Sequence, residues 1–264
     1  MNFLRSLLHA LWMLVTVVPW GLLMLLVSTR VRGVRLYWMA VRWLRWAVDG
    51  ARIILGIRVQ VLGAEHLPTG EGQGVVLLVK HQSTLETFLL PTLMPRPLAY
   101  VFKKELLYIP FFGWAMGRLD MIHIDRALRA KAFAKVVSQG QELLARGIWV
   151  IMFPEGTRIP RGERGVYKVG GTKLAVQTGA AVVPVAVNTA TVWPRKAFIK
   201  RPGLVTVSIG KPIPSQGRRA DELMAEVEAW IEAEMRRLDP QAYTAALDAR
   251  RGTKNHKDQP PVGF

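Results

Sequence analysis

From Ser6 to Thr29 the chain reads SLLHALWMLVTVVPWGLLMLLVST, a run without a single Lys, Arg, Asp or Glu. A helix of that length, at about 1.5 Å per residue, reaches across the roughly 30 Å hydrocarbon core of a bilayer. No A-x-A-like cleavage site follows it, so the run reads as a retained membrane segment and not as a leader. Pro19 near its middle removes a helix hydrogen bond and predicts a kink, which leaves open a full crossing or a dip into one leaflet. The next stretch, RVRGVRLYWMAVRWLRWAVDGARIILG, changes character. Helical spacing puts Arg35, Arg42, Arg45 and Asp49 on one stripe, with Leu36, Met39, Trp43, Trp46 and Ala47 largely on other faces. Arg beside Trp and Leu predicts a helix at a membrane interface, and an amphipathic helix packed on the protein is the alternative.

After Gly56 the pattern becomes that of an α/β domain. VQVLG (59–63), VVLLVK (75–80), LAYVF (98–102), IWVIMF (148–153), AVVPVAVN (181–188) and LVTVSIGKPI (204–213) predict strands. The uninterrupted apolar runs among them predict strands buried on both faces. LETFLLPTL (85–93), Ala127–Arg146, GGTKLAVQTG (170–179) and DELMAEVEAWIEAEMRRL (221–238) predict helices, the first limited by Pro91 and the second closed by Gly147. GRLDMIHIDR alternates in polarity up to Arg126. Strands alternating with helices imply a mostly parallel or mixed central sheet flanked by helices. The expected organisation is two N-terminal membrane-anchoring helices (1–58), an α/β domain (59–242) and a polar tail (243–264) expected to be flexible.

Charge narrows the setting. The chain has 264 residues, 36 Lys+Arg against 19 Asp+Glu, a net charge of +17 and a pI near 10.8. Such an excess points to an anionic partner, nucleic acid or an anionic membrane surface. Half the residues are hydrophobic and the mean hydropathy is +0.19. The basic residues Arg30, Arg32 and Arg35 sit beside the most apolar part of the chain, and no nucleic-acid motif occurs, so membrane lipids are the expected partner and nucleic acid is not. Positive charge at that end predicts the cytoplasmic face of the inner (plasma) membrane. Cysteine is absent, which excludes disulfides, thiolate metal sites and a cysteine nucleophile.

Candidate chemistry gathers in two stretches. In KHQSTLETF (80–88), His81 follows an apolar strand and Glu86 lies five residues later. Ser83-Thr84-Leu85-Glu86 also fits a capping box, S-x-x-E at a helix start. The readings are compatible: a carboxylate one turn into the helix can accept from one ring nitrogen and fix the tautomer of a histidine at the C-terminal edge of the sheet. In MFPEGTR (152–158), Pro154 and Gly156 shape a tight turn after a strand, and Arg158 offers a planar fork suited to phosphate. The plain alternative is a surface turn with a solvated arginine. His123-x-Asp125 lacks a third ligand, and the glycines at 70, 72 and 74 lack dinucleotide spacing, so no metal and no cofactor is expected.

HQSTLE (81–86), KKELLYIPFFGW (103–114), FPEGTR (153–158) and VVPVAV (182–187), in that order and with IDR (124–126) between them, resemble the blocks of the glycerolipid acyltransferase family, most of all its 1-acyl-sn-glycerol-3-phosphate acyltransferases. YKVGG (167–171) resembles the Lys-Gly segment that follows the third block. The first block of the family is usually H-x4-D, and this chain carries Glu86 in place of the aspartate. The resemblance implies acyl transfer from an acyl thioester, acyl-CoA or acyl-carrier protein, to the sn-2 hydroxyl of a lysophosphatidic acid-like acceptor. It implies His81 as base, Glu86 as its partner, and an acceptor site formed by Lys103, Lys104, Glu155, Gly156, Thr157 and Arg158. The absence of Cys and of a G-x-S-x-G elbow favours direct transfer over a covalent acyl-enzyme. Two alternatives remain at this point: another acceptor, such as glycerol 3-phosphate or a lyso-aminolipid, or an inactive membrane-binding relative.

Overall fold

A computed structural model describes residues 1–70, 72–125 and 129–244. Its N-terminus holds two helices, α1 (Asn2–Val27) and α2 (Gly33–Gly50). The domain then runs β1 (Ile57–Leu62), β2 (Val75–Val79), α3 (Leu85–Leu93), β3 (Leu98–Lys103), α4 (Phe112–Met116), β4 (Ile122–Ile124), α5 (Arg129–Ala145), β5 (Trp149–Met152), α6 (Gly170–Thr178), β6 (Ala181–Val187), β7 (Gly203–Ile209) and α7 (Ala220–Leu238). The strands form one seven-stranded sheet in the order β1-β7-β6-β2-β5-β3-β4. All neighbours are parallel except β6 and β7. The mixed sheet flanked by helices agrees with the pattern read from the sequence.

Both faces of the sheet are covered, which is why its central strands are apolar without alternation. All five residues of β2 are 0% exposed. Val75, Leu77 and Val79 join a core made with Leu85, Leu89 and Leu90 of α3 and Tyr37 and Val41 of α2. Val76 and Leu78 face the opposite way, under Val136 and Leu144 of α5, Leu174 of α6 and Val227 and Ile231 of α7.

Pro184 sits inside β6, where a proline would normally delete a ladder hydrogen bond. The antiparallel pairing with β7 covers Val185–Val187 and resumes only at the bridge Val182–Ile213. The missing N–H therefore falls at a break in the ladder, and the Pro184 carbonyl still accepts from the Gly210 amide at 2.9 Å. A side chain at Gly210 would come within 2.7 Å of the proline ring, so the crossing needs glycine.

α1 continues through Pro19 as one helix and is long and apolar enough to cross a membrane. It is tied to the protein along its length. The Ser6 hydroxyl accepts from the Lys200 amide at 2.8 Å, Trp12 Nε1 donates to the Trp46 carbonyl at 3.1 Å, and Trp43 Nε1 donates to the Thr16 hydroxyl at 3.2 Å. Near its other end Gly21 lies against Phe111. α2 turns Leu36, Tyr37, Val41, Trp43 and Ala47 onto the protein and leaves Arg35, Arg42, Arg45 and Trp46 exposed. Its apolar stripe thus packs on α1 and α3, and the packed alternative accounts for most of that face. The sequence pattern did not predict the short turn Lys104–Tyr108 or α4. Of the expected tail, Tyr243 is buried, and residues 245–264 lie outside the described residues, as does Arg126.

Candidate active site

Parallel strands place their C-terminal ends on one edge, and loops leaving that edge meet. β6, β2, β5 and β3 are consecutive neighbours in the sheet. His81 follows β2, the turn Phe153–Arg158 follows β5, Lys103 closes β3 and Thr189 follows β6. The sequence blocks therefore converge through topology alone.

His81 Nδ1 lies 2.9 Å from Glu86 Oε1. An ionised carboxylate only accepts, so this contact puts the ring proton on Nδ1 and leaves the Nε2 lone pair for a substrate. Glu86 also caps the helix: the amides of Gln82 and Ser83 donate to the same Oε1 at 2.8 and 2.6 Å, and the Ser83 hydroxyl accepts from the Leu85 amide at 3.1 Å. The capping box and the histidine pair are one arrangement. The Glu86 side chain is fully buried, and His81 keeps 14% of its side-chain surface exposed. Phe153 stacks on the imidazole with ring centroids 3.9 Å apart, which limits ring rotation.

The third block divides into a buried and an exposed half. Glu155, 4% exposed, accepts from the His81 amide at 2.9 Å and from Lys80 Nζ at 2.7 Å. Lys80 is completely buried at the end of β2, and its ammonium also donates to Glu232 of α7 at 2.7 Å. The Tyr167 hydroxyl donates to the same Glu232 oxygen at 2.8 Å. Burial raises the Glu155 carboxyl above its ordinary value of 4.5, against the pull of Lys80 that lowers it. Burial, with the charges of Glu155 and Glu232 beside it, also keeps the Tyr167 phenol protonated. Gly156 turns the chain with φ +67°, and a side chain there would come within 2.9 Å of Lys168 Nζ. Beyond it Thr157 and Arg158 are exposed. Arg158 Nη1 donates to the Thr84 hydroxyl at 2.7 Å, three residues from His81, and the Ile159 amide donates to the His81 carbonyl at 2.7 Å.

Among the residues expected to hold the acceptor, Arg158 is thus brought to the histidine loop, and Gly156 and Thr157 lie in the same turn. Glu155 faces inward. Lys103 is exposed, and Lys104 donates to Asp125 at 2.6 Å, which raises its ammonium above the usual value. The sequence reading did not single out Lys80, Tyr167, Thr189 or Glu232. A lysine ending an apolar strand reads as the first solvated residue and did not mark a buried ion pair. Thr189 and Glu232 carried no signal, because their partners are 103 and 152 residues away.

A family model described as Acyltransferase matches residues 58–188. The 1-acyl-sn-glycerol-3-phosphate acyltransferase of Pseudomonas aeruginosa is 43% identical over 201 residues, which cover 75% of this chain and 77% of that protein. The chain belongs to the acyltransferase family. The yeast (Saccharomyces cerevisiae) 1-acyl-sn-glycerol-3-phosphate acyltransferase is 34% identical over 178 residues, 65% of this acyltransferase and 57% of the yeast protein. The crystal structure of the 1-acyl-sn-glycerophosphate (LPA) acyltransferase PlsC from Thermotoga maritima superposes with a TM-score of 0.74 at 26% identity, covering 90% of this acyltransferase and 98% of that chain. The match extends beyond 58–188 and takes in most of the fold described above.

Proposed function

We propose that this acyltransferase moves a fatty acyl group from an acyl thioester, acyl-CoA or acyl-carrier protein, to the free sn-2 hydroxyl of a 1-acyl-glycerol 3-phosphate, giving phosphatidic acid. The observation that carries the reading is the His81–Glu86 pair with a cationic fork, Arg158, held on the same loop by Thr84. The names of the relatives favour the same acceptor. His81 Nε2 takes the hydroxyl proton as that oxygen attacks the thioester carbonyl. Glu86 stabilises the imidazolium that forms. As the tetrahedral intermediate collapses, the C–S bond breaks and the imidazolium returns the proton to the sulfur, so an ester and a free thiol leave. Arg158 binds the acceptor phosphate, Gly156 and Thr157 shape that site, and Lys103 adds positive charge on the neighbouring strand end, beside Lys104, whose charge Asp125 balances. Glu155 supports the site from beneath through the His81 amide. The test is an acceptor panel of lysophosphatidic acid, glycerol 3-phosphate and a non-phosphate lyso-lipid, each with CoA and carrier-protein donors. Lysophosphatidic acid should be acylated fastest; a faster non-phosphate acceptor would overturn the assignment.

Removing the fork should show in acceptor binding. Arg158→Ala is expected to raise KM for lysophosphatidic acid by at least 30-fold, since losing one partner of a charge-assisted pair costs about 2–5 kcal/mol. Arg158→Lys recovers only part of this, because the bidentate fork is gone. Unchanged KM in both variants would remove Arg158 from the site.

The enzyme acts at a membrane surface in this reading, with α1 lying in one leaflet. A helix fastened to the protein at Ser6, Trp12, Thr16 and Gly21 carries its neighbours wherever it goes, which disfavours a perpendicular crossing. Its outer side exposes Leu4, Leu8, Leu11, Val15, Leu22 and Leu26. Phe198 and Ile199 beside its start, and Ile109 and Trp114 near its end, are exposed as well. Arg35, Arg42 and Arg45 then meet anionic headgroups on the cytoplasmic face. Leu8→Ser, Leu11→Ser and Val15→Ser together should lower partitioning onto anionic vesicles at least tenfold in high salt. Full sedimentation of that variant with the vesicles would place the anchor elsewhere.

A further inference from the structure

Glu86 is held at both carboxylate oxygens. Oε1 receives His81 Nδ1 and the amides of Gln82 and Ser83, all from the same loop. Oε2 receives the Thr189 hydroxyl at 2.7 Å, from a distant part of the chain. Thr189 is 0% exposed and begins the tight turn Thr189–Thr191, separated from β6 by one residue. That turn is itself fastened: the Trp193 amide donates to the Thr189 carbonyl at 2.9 Å, and the neighbouring Asn188 side chain accepts from the Thr206 amide of β7 at 2.8 Å. β6 pairs with β2 up to Val79–Val185, so the hydroxyl reaches the carboxylate from the adjoining strand end.

The last torsion of a glutamate is broad, and donors gathered on one oxygen leave the carboxylate plane free to swing about them. A donor on the second oxygen closes that freedom and aims the remaining acceptor direction of Oε1 at the imidazole. We infer that Thr189 is a positioning residue of the acyl-transfer site: its hydroxyl sets the plane of the Glu86 carboxylate and, through it, the orientation of His81. Its hydroxyl meets the Glu86 carboxylate and acts on the histidine through it. The inference rests on the His81–Glu86 reading given above.

Thr189→Val removes the hydroxyl at nearly constant shape, and Thr189→Ser keeps it. In the purified full-length enzyme, Thr189→Val should lower kcat about 10- to 100-fold, the range for a lost hydrogen bond to a buried charge. KM for lysophosphatidic acid should stay within about twofold, and Thr189→Ser should come within about threefold of wild type. On a Glu86→Asp background the shorter carboxylate does not span both His81 and Thr189, so adding Thr189→Val should change kcat by less than about threefold. A second readout needs no turnover: the NMR resonance of the His81 Nδ1 proton, assigned by its loss in His81→Ala, should move in Thr189→Val and return in Thr189→Ser. If wild type acylates none of the acceptors while this resonance responds, the acceptor assignment fails and the positioning role stands. If kcat and the resonance are unchanged in Thr189→Val, or if kcat, KM and thermal stability fall together with no rescue by serine, the inference is overturned.

Discussion

Glu86→Gln is expected to lower kcat about 10²–10³-fold and leave the fold intact. Glutamine keeps an oxygen for the Gln82 and Ser83 amides, so the cap survives. What disappears is the negative charge that balances the imidazolium, while the oxygen that stays still accepts from Nδ1. The amide replacement of the carboxylate in the serine-protease triad costs about 10⁴, there with the wrong ring tautomer as well as the lost charge. A smaller loss is expected here because a thioester is an easier electrophile than an amide and asks less of the base. His81→Ala should fall at or below Glu86→Gln, and the double variant should be little worse than His81→Ala, since the two side chains act as a unit. Glu86→Asp should retain measurable activity, with its carboxylate withdrawn from Thr189. Activity of Glu86→Gln within a few-fold of wild type, at unchanged Tm, would leave Glu86 as a cap only.

Lys80→Met is expected to be the most destabilising single change among the site's neighbours. The ammonium sits between Glu155 and Glu232, both buried, and its removal leaves two carboxylates without their cation. Breaking a buried ionic group from one side costs about 3–5 kcal/mol. For a chain of this size that lowers Tm by roughly 6–20 °C. Lys80→Met combined with Glu155→Gln and Glu232→Gln should recover most of the loss, because no buried charge is then left unpaired. The sign of the pH dependence follows from Glu155. Its folded carboxyl is raised above 4.5, so the folded state holds the proton more tightly and stability is lost as pH rises through and above that value. Without Lys80 the shift grows, and Lys80→Met should lie closer to wild type near pH 5 than at pH 8. Thermal unfolding at the two pH values measures this; an equal deficit at both would contradict it.

The convergence of the blocks was legible because it depends on apolar runs. VVLLV, WVIM and AVVPVAV are short, β-branched apolar runs that predict central strands, and a right-handed α/β connection then brings the residues after each to one edge. His81–Glu86 was legible because the two residues lie five apart, across one turn from strand to helix. Lys80, Glu155 and Glu232 were not read as a unit, since pairing across the sheet and α7 leaves no local pattern and a lysine after an apolar strand reads as the first solvated residue. Thr189 is a lone threonine whose importance comes entirely from where β6 ends. The face of α2 was ambiguous for a different reason: Trp and Leu satisfy a protein neighbour as well as a lipid, and only the positions of α1 and α3 decide between them.

In the proposed reaction His81 passes the acceptor's proton to the departing sulfur. Simultaneous measurement of thiol release and phosphatidic acid formation from acyl thioester and lysophosphatidic acid tests it, in wild type and in His81→Ala of equal Tm. Wild type should form one thiol per phosphatidic acid, and His81→Ala should lose both at least about 10³-fold. Phosphatidic acid formed by His81→Ala at the wild-type rate would contradict it.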